Sequence, residues 1–203
     1  MNTQFDPCHT AAKLPLTHPM RRCSLTSLFI LATGLPWAFS SVLPTTQAAP
    51  PANIPFPEVF FSPKGGCTAA IVREIESARS SLLIQAYSFT SAPIAASVVE
   101  AQRRGIRIQV LLDKSNRTEK YSAADFLAHA GVPVFIDAKH AIAHNKIMVI
   151  DKTTVITGSF NFTKAAEESN AENLLIFRSA TLAARYLENF SDHTLHSEPY
   201  YGR

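Results

Sequence analysis

Short apolar runs alternate with helix-like segments along most of this chain, and this alternation restricts its fold more than any other feature. Strand-like runs occur at residues 59–61, 82–89, 106–112 and 132–136. Between them, apolar residues recur at helical spacing near residues 69–79, 91–103 and 122–130. Repeated strand-helix order is typical of α/β proteins. It predicts a mixed, mostly parallel sheet sandwiched by helices on both faces.

The rhythm changes in the second half of the chain. Strand-like runs at residues 147–150 and 154–157 are separated by three residues, a connection too short for a crossover helix. We therefore predict an antiparallel hairpin. A short helix at 163–168, a strand at 172–177 and a final helix at 181–195 are expected to follow.

The first 48 residues predict a signal peptide with an N-terminal extension. Arg21 and Arg22 precede an interrupted apolar run at residues 23–35, which is the layout of a secretory signal. The run is too short to span about 30 Å of hydrocarbon comfortably, so we expect cleavage and no stable membrane anchor afterwards. Met20 is a possible start. The product would be periplasmic or secreted.

Export would also change the charge of the chain. The full sequence has 19 Lys and Arg against 16 Asp and Glu, a net charge of +3 that favours nucleic-acid binding. Residues 1–48 hold three of these basic residues and one acidic residue, so residues 49–203, predicted to be a single domain, carry a net charge of about +1. Cys67 is then the one remaining cysteine, and we expect it to be buried and inert.

Chemically active side chains lie at both ends of the predicted hairpin. His144 and Lys146 share a strand face at its start, because residues two apart point the same way, and Ser159 and Asn161 do so at its finish. Since a hairpin brings its ends together, all four can converge. An ammonium, a hydroxyl and a carboxamide suit an anionic tetrahedral group. The set lacks the cysteines or paired carboxylates that bind a divalent metal, so we expect no metal and no cofactor.

The spacing of these residues resembles a known family. It agrees at every fixed position with HxKxxxxDxxxxxxGSxN, the signature of the phospholipase D superfamily. The fixed residues are His144, Lys146, Asp151, Gly158, Ser159 and Asn161. Residues 59–201 also resemble the small bacterial single-motif endonucleases of that superfamily, which work without added metal. The resemblance implies a phospholipase D-like fold with one HKD motif and phosphodiester hydrolysis.

The resemblance also implies catalytic roles. His144 would attack phosphorus and form a covalent phosphohistidine, which water then opens. The phosphate would be bound by Lys146, Ser159 and Asn161. Hydrolysis needs a proton donor opposite the nucleophile, and one histidine cannot occupy both sides. No second motif occurs in the sequence. We therefore expect a homodimer with a shared active site, in which His144 of the second copy is the general acid.

Several acidic residues and histidines are open to interpretation. Glu172 matches the family's glutamate that orients the imidazole, whereas Glu167 and Glu168 are competing candidates that we expect to be solvated. Asp151 belongs to the catalytic set by resemblance, although capping of the hairpin turn is at least as good an interpretation. The remaining histidines near these elements match no motif, and we expect surface positions for His140, His193 and His196.

The substrate is less well defined than the chemistry. Lys114, Arg117 and Lys120 follow the third strand, where loops of α/β sheets contact ligands, so they could contact a nucleic-acid backbone or form a solvated loop. The leading hypothesis is an exported, sequence-nonspecific endonuclease that acts on DNA or RNA. A phospholipase acting on phospholipid is the alternative in the same family. A non-catalytic nucleic-acid-binding module is the third.

Overall fold

The computed structural model describes residues 56–203, which form an eight-stranded sheet with helices on both faces. The strands are β1 (Glu58–Ser62), β2 (Ser81–Ala86), β3 (Arg107–Asp113), β4 (Val134–Asp137), β5 (Lys146–Ile150), β6 (Thr154–Gly158), β7 (Glu172–Arg178) and β8 (Glu198–Tyr200). Their order in the sheet is β1-β7-β6-β5-β2-β3-β4-β8. The predicted signal peptide, Met20 and the boundary at residue 49 lie outside the described residues and stay predictions.

Helices cover both faces of the sheet, as predicted. They are α1 (Cys67–Ser77), α2 (Ala92–Arg103), α3 (Ala124–His129), α4 (Lys164–Glu168) and α5 (Ala180–Thr194), with a 3₁₀ turn at Lys114–Arg117. Alternate residues of β5 pack against helices on opposite faces of the sheet, because successive side chains of a strand point to opposite faces. Met148 lies in the core beneath α1 and α2, whereas Ile147 and Val149 pack with Ala183 of α5. None of the described helices has the length and apolar character needed to cross a membrane.

The sheet is mixed, but the expectation that it is mostly parallel was wrong. Among the described strands, two neighbouring pairs are parallel, β2–β3 and β3–β4, and the other five pairs are antiparallel. Parallel neighbours require a crossover, and only the connections through α2 and α3 supply one between adjacent strands. Of the antiparallel neighbours, β5 and β6 join through the hairpin and β6 and β7 through the segment that holds α4, while the other pairs are distant in sequence.

One strand is shorter than the sequence predicted, and another was not predicted at all. β2 ends at Ala86, because Phe89 leaves the ladder and makes an isolated bridge to Phe162. β8 was not predicted. It has three residues, includes Pro199, and pairs antiparallel with residues 134–136 of β4. So short a strand carries no alternating pattern that could reveal it.

Asp151 closes the hairpin turn at the end opposite Lys146. Its carboxylate accepts hydrogen bonds from the backbone N–H groups of Arg79 (2.9 Å), Ser80 (2.7 Å) and Ser81 (3.0 Å). Burial would raise the pKa of Asp151, but these donors outweigh burial and lower it. A five-residue strand is about 17 Å long. The structure therefore contradicts a catalytic contact for Asp151, whose carboxylate instead joins the hairpin to the loop before β2.

We expect Asp151→Asn to lower the free energy of unfolding by about 1–2 kcal/mol, because charge-assisted hydrogen bonds become neutral ones. Asparagine tolerates the positive φ of 51° at this position. Since the folded pKa is lowered, the loss is complete above the ordinary pKa of about 3.9 and shrinks as the pH falls through the folded pKa. Urea unfolding at about pH 7 and about pH 3 measures it.

The exposed Asp192 on α5 supplies the control, Asp192→Asn. An equal loss in the control, or a loss that does not diminish in acid, would contradict the assigned role of Asp151.

Candidate active site

One end of the sheet collects the residues that the sequence singled out. We call it the active-site end: β2, β3, β4 and β6 finish there, and β5 and β7 begin there. Lys146 opens β5 directly opposite Ala86, and Gly158 closes β6 opposite Leu174. Antiparallel pairing of β5 with β6 therefore brings residues 144–146 and 158–161 to the same end, as the hairpin predicted.

His144 and Lys146 both lie against the Tyr87 ring. The exposed His144 ring lies 4.7 Å from the Tyr87 ring, centroid to centroid. Lys146 is buried; its Nζ donates to the His144 carbonyl oxygen at 2.9 Å and lies 5.1 Å from the Tyr87 ring centroid. Burial lowers the pKa of Lys146, and the negative charge of Glu172 partly offsets this. The arrangement leaves an accessible imidazole next to a desolvated cation.

Ser159 is held by Asn173, a residue that the sequence reasoning missed. The Ser159 N–H donates to Asn173 Oδ1 at 2.8 Å, and the Asn173 N–H donates to Ser159 Oγ at 3.0 Å. The hydroxyl of the exposed Ser159 acts there as an acceptor, so its own proton can still be donated to a ligand. Ser159 could be identified from its position in the sequence motif. Asn173 could not, because it lies on another strand and no local sequence pattern marks it as the partner of Ser159.

Asn161 also has hydrogen-bonding capacity to offer. Its side-chain Oδ1 is buried without a hydrogen-bond partner among the described residues. Such an atom is costly to leave unmatched. A 180° rotation of the Asn161 carboxamide would exchange Oδ1 and Nδ2. The two N–H donors would then occupy the position of Oδ1 and could bind a phosphate oxygen.

The loop that carries His144 is fastened by a buried carboxylate at the end of β3. Asp113 is buried, and its Oδ2 accepts from the Ala143 N–H at 2.7 Å, one residue before His144. Its Oδ1 accepts from the Ser115 N–H at 2.9 Å. The Asn145 carbonyl oxygen accepts from the Tyr87 N–H at 2.8 Å. Together these bonds hold the backbone on both sides of the histidine.

The three candidate glutamates have different surroundings. Glu172 Oε1 accepts from Asn170 Nδ2 at 3.2 Å, and within residues 56–203 no hydrogen bond joins it to the His144 ring. Glu167 is not simply solvated, as expected, because it accepts from the N–H groups of Gly66 and Thr68 at the start of α1. Glu168 is exposed and pairs with Lys164 at 3.6 Å.

Cys67 is buried, as expected. Burial, together with the charge of Glu167, raises the pKa of its thiol to about 11. A thiol is nucleophilic as the thiolate, so this environment keeps Cys67 unreactive.

The three basic residues after β3 are partly engaged by other groups. Arg117 forms an ion pair with Glu198 of β8, the strand that the sequence did not reveal. Lys114 Nζ donates to the His140 carbonyl oxygen at 3.0 Å, and Lys120 Nζ lies 5.2 Å from the Tyr121 ring centroid. Both lysines are exposed, so their ammonium groups stay accessible beside the active-site end.

The expectation of surface positions was wrong for His193 and His196, whose side chains are mostly buried, whereas the His140 side chain is 43% exposed. All three rings turn towards the buried Asp137 at the end of β4, at N···O distances of 2.8, 2.7 and 3.4 Å. Burial raises the pKa of Asp137, but the hydrogen bonds from the three histidines outweigh burial and lower it. The i, i+3 spacings 137/140 and 193/196 were the only signal in the sequence, and they lie 56 residues apart.

Comparison with known proteins shows what the chain is similar to. The family described as "Cardiolipin synthase, PLD-like domain" matches residues 71–194. A "Phospholipase D" of Rickettsia bellii is 45% identical over 130 residues, which cover 64% of this chain and 65% of that protein. A "Mitochondrial cardiolipin hydrolase" of Mus musculus is 30% identical over 148 residues, covering 73% and 64% respectively. The matches therefore span slightly less than two thirds of these relatives.

A solved structure gives a fuller match. Nuc from Salmonella typhimurium, described as a phospholipase D family member, is 35% identical, with a TM-score of 0.69. The similarity covers 71% of this chain and 97% of that chain. Nearly the whole of Nuc is therefore represented in the fold described above.

Gly158 should be the least replaceable backbone position of the site. Its φ is 147°, and a Cβ there would lie 2.2 Å from the Asn173 carbonyl oxygen. We expect Gly158→Ala to lower the free energy of unfolding by about 3 kcal/mol or more, because strain and a backbone clash act together. Gly105→Ala is the matched control, since φ is 86° but no atom lies within 4 Å.

The control should lose only about 1–2 kcal/mol, the cost of the left-handed backbone alone. Chemical denaturation of both variants measures the difference. Equal losses would show that the contact between Gly158 and Asn173 is looser than the structure indicates.

Proposed function

The chain belongs to the family of cardiolipin synthase PLD-like domains, and from its active-site end we propose that it is a phosphodiester hydrolase. The observation that carries the proposal is the exposed His144 ring beside the buried Lys146, with Ser159 and Asn161 at the same end of the sheet. A nucleophilic imidazole and several phosphate-binding groups are the requirements of this reaction.

The proposed reaction proceeds in two displacements. A ring nitrogen of His144 attacks phosphorus, the new N–P bond forms, and the bond from phosphorus to the leaving oxygen breaks. That oxygen takes a proton from a general acid. Water then attacks phosphorus, the N–P bond breaks, and the water proton passes to the group that acted as acid. Lys146, Ser159 and Asn161 stabilise the charge on the phosphoryl oxygens. To orient the imidazole, as the family resemblance implies, the Glu172 side chain would turn from Asn170 towards the His144 ring.

We propose a nucleic acid as the main substrate. The sequence resembles small single-motif endonucleases, and the extent of the fold matches Nuc almost completely. Lys114 and Lys120 expose two cations beside the active-site end, where a phosphate backbone could lie. No element of the described chain has the form of a base-reading module, so cleavage should be nonspecific in sequence. From the predicted signal peptide we propose that this activity is located in the periplasm or outside the cell.

Phospholipid is the second candidate, and a specific observation favours it. Ile142, two residues before His144, is an exposed large apolar residue, and Tyr121 is another beside the lysine loop. Apolar side chains next to the nucleophile could contact acyl chains. The Rickettsia and mouse relatives carry phospholipase D and cardiolipin hydrolase names.

An assay with excess EDTA separates these possibilities. We expect the purified protein to degrade plasmid DNA in the chelator, and His144→Ala to reduce the rate by roughly 10³-fold or more, because the nucleophile is lost. His129→Ala, at an exposed histidine on α3, is the control and should keep full activity. Phosphatidylglycerol and cardiolipin vesicles are tested in parallel.

Each alternative outcome has a clear meaning. Release of phosphatidate without DNA cleavage would favour the lipid substrate. Unchanged DNA cleavage in His144→Ala would contradict catalysis by this site. Loss of activity in EDTA would exclude the metal-independent mechanism if circular dichroism shows the protein folded and hydrogen exchange shows that the loop before His144 is still ordered.

The homodimer follows from the need for a second histidine. Within the described residues, His140, His193 and His196 are engaged with Asp137, so none of them supplies a free acid opposite His144. We propose that His144 of a second copy protonates the leaving oxygen, and that the two copies share one site.

Co-expression of wild type with His144→Ala tests the shared site. If both histidines are needed, an equal mixture should retain about one quarter of the activity of the same amount of wild-type protein, because only dimers of two wild-type chains work. Co-expression with His129→Ala should leave activity unchanged. Retention of one half, together with sedimentation as a monomer, would contradict the dimer.

A further inference from the structure

A second cluster of chemically active side chains lies beside the active-site end. Asp137 closes β4, His140 follows it in the loop, His193 belongs to the last turn of α5, and His196 lies just beyond α5. One potential ligand atom from each lies within 4.8 Å of all the others. The catalytic mechanism uses none of them.

The three rings converge on a single atom. Asp137 Oδ2 lies 2.8 Å from Nδ1 of His140, 2.7 Å from Nδ1 of His193 and 3.4 Å from Nε2 of His196. A carboxylate oxygen has two lone pairs, so three simultaneous imidazole donors exceed what it can accept with good geometry. Hydrogen bonding alone therefore accounts poorly for this arrangement.

The dimensions suit a tetrahedral metal site instead. With Zn–N and Zn–O bonds of about 2.0–2.2 Å, neighbouring ligand atoms of a tetrahedron lie about 3.3 Å apart. The observed N···O distances of 2.7, 2.8 and 3.4 Å approach this separation, and all four ligand atoms lie within 4.8 Å of one another, so side-chain adjustments of about 1 Å would admit an ion. Three imidazoles and one carboxylate are a donor set that zinc and related transition ions prefer.

The surroundings of the cluster also suit a bound cation. Asp137 is wholly buried, and the His193, His196 and His140 side chains are 14%, 21% and 43% exposed, so the site is shielded on the α5 side and open to entering ions on the His140 side. The second carboxylate oxygen, Oδ1, accepts from the Lys139 N–H at 3.1 Å. Hydrogen bonds of this kind orient a metal-binding carboxylate.

We propose that Asp137, His140, His193 and His196 bind one divalent transition-metal ion of the zinc type. Four protein ligands close the coordination shell, which is the arrangement of structural rather than catalytic zinc sites. β4 and β5 are three strand positions apart, so the ion would lie about 14 Å from Lys146. It is therefore too distant to touch a phosphate held there.

The ion would fasten the loop that carries the nucleophile. His140 precedes His144 by four residues, and its partners His193 and His196 come from the C-terminal end of the chain. Binding would tie this loop to the end of α5. The proposal is independent of the substrate, and it assigns the metal to stability rather than to phosphodiester cleavage.

Metal loading of the purified full chain tests the proposal. After treatment with chelator and its removal, titration with Zn²⁺ should show one ion per chain and a rise in the unfolding temperature. Co²⁺ should give the intense visible absorption of a tetrahedral N₃O site. His193→Ala should weaken Zn²⁺ binding at least roughly 10–100-fold, the loss seen when even indirect partners of a metal are removed.

His129→Ala is the control, because this histidine lies outside the cluster and should leave both the Zn²⁺ affinity and the Co²⁺ spectrum unchanged. Asp137→Asn provides a second variant if His193→Ala fails to fold. Absence of stoichiometric binding to the folded wild type would overturn the proposal. So would a Co²⁺ spectrum that survives in a folded cluster variant, since the ion would then be held elsewhere.

Discussion

The antiparallel pairing of β5 with β2 joins the two halves of the sheet, and the candidate active site depends on it. One half, β5-β6-β7-β1, is antiparallel, while β2, β3 and β4 are parallel to one another. The register from Leu82 opposite Ile150 to Ala86 opposite Lys146 determines where β5 begins. A shift of one residue would turn Lys146 to the other face of the sheet. The buried position of this cation is therefore a consequence of backbone pairing.

Two buried carboxylates extend this control to the loop before β5. Asp113 and Asp137 end adjacent parallel strands, and Cα pairing places them side by side. Asp113 holds the backbone next to His144, and Asp137 gathers three histidines. Buried charges are stabilised only when they are paired or hydrogen-bonded. The hydrogen bonds that stabilise these carboxylates also hold the loop before β5 in one conformation, and this fixes the backbone next to the exposed His144.

Elements that depend on local interactions were predictable from the sequence, whereas those that depend on contacts between distant residues were not. The hairpin and the helices were predictable, because turn length and helical spacing are local. The mostly parallel sheet was wrong, because strand partners such as β1 with β7 are distant in sequence. Glu167 was expected in solvent, yet it caps α1 from about one hundred residues away. No local pattern distinguishes a solvated helix glutamate from one that meets a distant helix start.

The sequence by itself determined the proposed catalytic residue set, because the motif residues lie within one hairpin and its short flanks. Strand periodicity and a three-residue turn are enough to bring His144, Lys146, Ser159 and Asn161 together. Only the tertiary structure separated Asp151 from that set and revealed Asn173 as the partner of Ser159. It also assembled Asp137 with three histidines from two distant segments. These outcomes depend on which strands become neighbours and where a terminal helix packs. Contacts between residues that are distant in sequence produce no local periodicity from which they could be predicted.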